Sequence, residues 1–143
     1  MTNNLLYFLS PHHNRSVIAE AWAEKSKLAN WSFISSSWDG VMRDPLSIKA
    51  MQEVNIDLTT KPTQQLNNVL LEKASCIIAI YDFQNDPVPP LPSRFKNKLV
   101  QWNIPAPLKT SIDDIEKWAK YQEVCDTIAV NVKDLEGTLN FTY

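Results

Sequence analysis

The chain has 143 residues, 44% hydrophobic and 21% charged, enough for one domain with a real core. A net charge of −2 excludes general binding to nucleic acid or other polyanions. No apolar run reaches membrane-spanning length, and the start MTNNLLYFL lacks the features of a secretory signal, so the cytoplasm is the default location.

Residues 5–9 (LLYFL) form a short continuous apolar run and predict a buried strand. A five-residue turn, SPHHN, leads to a helix over 15–29 with Asn14 as N-cap and Ile18, Ala21, Trp22 and Lys25 on one stripe. Residues 31–36 (WSFISS) alternate like a strand, and 37–44 read as a loop. Pro45 opens a helix to Val54 that buries Ile48, Met51, Gln52 and Val54. A third helix covers 64–73, with Leu66, Val69 and Leu70 inward, and the strongly apolar CIIAIY, 76–81, is the central strand.

The proline-rich loop FQNDPVPPLPSR precedes a fourth strand at 98–102 and the rigid segment NIPAPLKT. A long helix then spans 111–135, with Ile112, Ile115, Trp118, Tyr121, Cys125, Ile128, Val132 and Leu135 at steps of three and four. Residues 1–136 thus make one domain, and 137–143 (GTLNFTY) a loosely held tail. Cys76 and Cys125 lie inside regular elements and read as buried reduced thiols.

Strands alternating with helices predict an α/β domain with a mostly parallel sheet and right-handed crossovers. Ligands of such sheets sit at the carboxyl ends of the strands, which makes the turn after Leu9 the expected site. That turn contains no glycine, and the whole chain has only two against nine prolines. Loops that wrap a ligand with their backbone usually need positive φ, which glycine reaches at least cost.

With these residues placed, the chain resembles the low-molecular-weight protein tyrosine phosphatases and, among their relatives, the thioredoxin-coupled arsenate reductases. The resemblance runs from Leu5 to Leu135 and is carried by LLYFL, RSVIAEAWAEK, DPLSIKAMQEVNIDLT, CIIAIY, PPLP, WNIPAP and EKWAKYQEVCDTI. It implies a single three-layer domain, a four-stranded parallel sheet flanked by helices. It also implies a loop of cysteine, five residues, arginine and serine, in which a thiolate attacks phosphorus or arsenic. The loop N–H groups and the arginine hold the oxyanion there. An aspartate before a late proline protonates the leaving group, and in arsenate reductases two further cysteines complete a disulfide relay.

Carried over residue by residue, Arg15 and Ser16 match the end of that loop. The cysteine falls on Ser10 when aligned from the strand and on Leu9 when aligned from the arginine, so no register supplies a thiol. The general acid falls on Ala106 before Pro107, the redox cysteine on Asp82 and its partner in the DPVPP region. The Ser-Ala-Gly after the family's second strand reads Ser35-Ser36-Ser37. A serine hydroxyl, unlike a thiol of pKa about 8.5, does not ionise near neutrality and needs a base. Pro11 further removes one N–H from the cradle.

These losses predict a non-catalytic family member that binds an oxyanion or a protein partner at the degenerate loop. The candidate anion site is Ser10, His12, His13, Asn14, Arg15 and Ser16, for an anion such as phosphate, sulfate or an arsenate-like species. A residual hydrolase using Ser10, a loop histidine and Arg15 is one alternative, and a structural or dimerising domain is another. No cofactor or metal is expected: the two histidines lack clustered ligands and read otherwise as exposed turn residues. Ser10 and Ser16 read otherwise as local turn and cap hydrogen-bonders, and Asp82 and Asp86 as loop residues before Pro87. Trp38, Trp102 and the PVPPLP run read as core and lid packing, with an aromatic and proline-rich rim for a protein partner as the alternative.

Overall fold

In the structure, a computed structural model, four strands form one parallel sheet of order β2-β1-β3-β4. Residues 4–142 are described apart from 27, 29, 41–42, 63 and 107–112. The elements are β1 (Asn4–His12), α1 (Arg15–Glu24), β2 (Trp31–Gly40), α2 (Pro45–Gln52), α3 (Asn68–Lys73), β3 (Cys76–Tyr81), β4 (Leu99–Asn103) and α4 (Asp114–Thr142). Short 3₁₀ turns cover Leu58–Thr60 and Ser93–Lys98.

Alternate side chains of each strand feed opposite layers. Leu6 and Phe8 of β1 and Ile78 and Ile80 of β3 join the larger cluster, under α1, α2 and α4. Tyr7, Leu9 and Ile77 point the other way, to Leu71 of α3 and Phe95. Both faces of the two inner strands are therefore covered, which is why LLYFL and CIIAIY are apolar without alternation. Among the described residues, no helix is long and apolar enough to cross a membrane.

Several elements end elsewhere than the sequence pattern predicts. β1 does not turn after Leu9 but runs on to His12, and β2 continues past Ser36 to Gly40. Ser10 pairs with Ser37 and His12 with Gly40, across a register shift between Ser10 and His12. β3 pairs only with Leu6 to Leu9, so beyond Leu9 strand β1 has a neighbour on one side alone. Pro11 thus lies where a missing N–H is tolerated, at a local edge and an irregularity.

The first helix stops at Glu24 rather than at position 29, and α2 stops at Gln52, with Gln52 and Val54 exposed. α3 begins only at Asn68, capped by the Asn67 side chain, and it buries Leu71 while Val69 is exposed. β4 is shifted one residue on from the predicted 98–102. Ile115 is exposed, and Ile112 lies outside the described residues. α4 passes the expected boundary at Glu136 and continues through Gly137 to Thr142. One glycine costs a helix only about 1 kcal/mol relative to alanine, and no proline follows to break it.

The sheet order reverses direction at β1, so the loops after β1, β3 and β4 meet at one edge. That edge is the topological switch point where ligands of such sheets sit.

Candidate functional site

Ser10, which falls on the family cysteine when counted from the strand, is fully buried at the end of the apolar part of β1. Its hydroxyl donates to the His12 carbonyl (2.5 Å), its oxygen accepts the Ser16 N–H (3.0 Å), and it shares a hydrogen bond with Ser16 Oγ (2.8 Å). A hydroxyl has one proton and two lone pairs, so its capacity is filled inside the chain. Ser10 therefore satisfies one of the free N–H groups at the start of α1. Asn14, the expected N-cap, makes no side-chain cap to α1. Its Oδ1 instead accepts from the Asp44 N–H (2.8 Å) and Ser47 Oγ (3.1 Å), tying the first turn of α2 to the start of α1.

Arg15 is the first residue of α1, and its side chain is only 3% exposed. Nη1 donates to Asp86 Oδ2 and to the Ile104 carbonyl, each at 2.8 Å. Asp86 Oδ2 also accepts the Asp82 N–H at 2.8 Å. Asp86 lies in the loop before Pro87, as the sequence predicts, and is in addition the ion-pair partner of Arg15. Asp82 does make the expected local turn, its carboxylate accepting from the Gln84 and Asn85 N–H groups and from Asn85 Nδ2. These hydrogen bonds, led by the one from Asn85, hold its carboxyl below the usual range.

The two histidines part company. His13 is 1% exposed, not an exposed turn residue. Arg43 Nη2 donates to His13 Nδ1 (2.8 Å), and since a guanidinium can only donate, the ring proton sits on Nε2. Nε2 donates to Ser35 Oγ (2.8 Å), which donates to Glu20 Oε1 (2.8 Å), while Glu20 Oε2 pairs with Lys61 (2.7 Å). Burial first, and the Arg43 charge second, push the imidazole pKa down to about 4. His12 stays in the strand beside Gly40, where a Cβ would stand 3.1 Å from His12 Nδ1. Among the described residues, no hydrogen bond joins Ser10 to either ring.

Ala106 offers no proton, and Pro107 lies outside the described residues. Burial raises the Cys76 thiol to about 11 and the Cys125 thiol to about 12, so neither is a ready thiolate. Trp38 stacks edge-on against Tyr81 (5.7 Å) in the smaller cluster, whereas Trp102 packs near Phe8 (6.2 Å) in the larger one. The two tryptophans sit on opposite faces of the sheet and do not share a rim.

Of the predicted site residues, the fold joins Ser10 to Ser16 at the start of α1 and turns the side chains of His13, Asn14 and Arg15 toward other elements. Sequence reasoning missed Arg43 and Glu20 altogether. No spacing signals them, because their contacts to His13 and Ser35 join separate elements.

A parallel α/β sheet with an Arg-Ser helix start at its switch point defines a phosphatase-like architecture. No family profile matches the chain. It is 31% identical over 134 residues to an arsenate reductase of Oceanobacillus iheyensis, covering 93% of this chain and 95% of that protein. At the level of fold, it matches a solved arsenate reductase in the phosphate binding state with a TM-score of 0.73 and 17% identity, over 94% of this chain and 98% of that one. It also matches a cysteine-to-serine variant of the YwlE arginine phosphatase that carries a phosphorylated active-site serine (TM-score 0.74, 19% identity, 95% of each chain). The chain belongs to the low-molecular-weight tyrosine phosphatase and arsenate reductase family.

Proposed function

We propose that this chain is a non-catalytic member of its family, which keeps the architecture and the Arg-Ser helix start without turnover. The observation that carries this reading is the state of Ser10 Oγ. It is buried, its proton is given to the His12 carbonyl, and its lone pairs cap α1. A serine nucleophile needs a base within reach and an orienting group behind it. Here the buried histidine faces Ser35, with its acceptor nitrogen blocked by Arg43. The loop that would cradle an oxyanion is drawn into a strand beside β2. Two free cysteines fit a reducing cytoplasm better than a secreted setting.

The test offers the purified protein p-nitrophenyl phosphate, and arsenate with thioredoxin, and then analyses it by intact-mass spectrometry. The expected result is no turnover and no phosphoryl or arsenic adduct. Turnover abolished by Ser10→Ala, or an adduct mapped to Ser10, overturns the reading in favour of a serine-dependent hydrolase. The phosphorylated serine in the arginine phosphatase variant is why the adduct search matters: in that fold a serine in the active site does hold a phosphoryl group.

A further inference from the structure

We infer that Asp86 is the resident ligand of the Arg15 site: its carboxylate holds the oxyanion's place and closes the site to external anions. This rests on the non-catalytic reading above and names how that site is controlled. Two donors from different elements converge on one oxygen. Arg15 Nη1, from the first turn of α1, and the Asp82 N–H, just past β3, both reach Asp86 Oδ2 at 2.8 Å. A charged fork beside a backbone N–H is the donor set a bound oxyanion requires. The site is nearly dry, with side-chain exposures of 3% for Arg15 and 14% for Asp86.

Asp86 reaches this position from a short loop anchored to the end of β3. Its own N–H donates to the Asp82 carbonyl (3.0 Å), and the Asp82 side chain fixes the turn between them. A ligand tethered in this way competes at high effective concentration, so a free anion at ordinary levels does not displace it. Removing the carboxylate leaves a buried guanidinium hydrogen and an N–H without an acceptor, a state that an added anion relieves. In this loop Phe83 and Val88 are exposed, at 48% and 75%, while Leu91 packs against the smaller cluster.

The experiment is an NMR titration of the Asp82 amide with sodium phosphate and, separately, sodium acetate, against sodium chloride of equal ionic strength. Wild type, Asp86→Ala and Asp86→Ala with Arg15→Met are compared. Asp86→Ala should show a saturable shift with at least one of the two anions, with affinity on the order of tenfold or more above wild type. The response should vanish when Arg15 is also replaced. Acetate alone saturating would mark a pocket shaped for a planar carboxylate, and phosphate saturating one that accepts a tetrahedral anion; either supports the inference. No saturable response in Asp86→Ala, or an equal one in wild type, overturns it. If the alanine variant does not fold, Asp86→Asn keeps the side-chain volume and serves in thermal denaturation. Phosphate must then raise its midpoint more than that of wild type, and equal rises overturn the inference. Enzymatic turnover would refute the non-catalytic reading without touching these binding results, so the two can fail separately.

Discussion

Acidification should strike this fold first at His13. The imidazole is 1% exposed, accepts from Arg43 at Nδ1 and donates to Ser35 at Nε2, so a second ring proton would meet a guanidinium. In the unfolded chain the ring gains its proton as pH falls through 6.5; in the folded chain it stays neutral down to about 4. Because the unfolded state binds the extra proton first, stability falls as pH drops across that window, and the loss stops growing below it. At about 1.36 kcal/mol per pH unit, the full loss is roughly 3 kcal/mol, a large part of the 5–15 kcal/mol typical of a domain. The carboxylates held below their ordinary value, Asp44 and Asp82, lose their contribution only as pH falls below about 4, so the two windows separate. Urea unfolding between pH 7 and 4.5 should show midpoints declining in wild type and nearly level in His13→Gln. Parallel declines in the two proteins, or a His13 ring that titrates near 6.5 by NMR, would refute the reasoning.

Ser10→Ala should lower stability by about 1 kcal/mol, the usual worth of a helix N-cap. Equal stability by chemical denaturation would show that Ser10 does not cap α1. Cys76 and Cys125 should resist a thiol reagent in the native protein and both react once it is unfolded, since burial keeps them protonated. Rapid labelling of either in the folded state would contradict that.

Where the Arg15 and His13 contacts fall explains how far the site was legible. The order of elements followed from local signals. Continuous apolar runs marked β1 and β3, and steps of three and four marked α4. Boundaries were less secure where a partner strand decided them: nothing in SPHHN announces a strand, and its extension depends on β2 lying alongside through Gly40. α3 was misread because Val69 and Leu71 are equally apolar, and only the position of the smaller cluster selects Leu71 for burial.

The sequence by itself settled that the first turn holds no cysteine and that alanine, not aspartate, stands before Pro107. It also settled the α/β alternation, because hydrophobic period is a property of neighbours in the chain. The tertiary structure alone decided which side chains meet at that edge. Arg15 and Asp86 stand 71 positions apart, His13 and Arg43 30 apart, and Ser35 and Glu20 15 apart. Such pairings depend on which loops the sheet order brings to one edge and which groups burial then forces to find partners, since an unpaired polar group away from water costs more than its hydrogen bond returns.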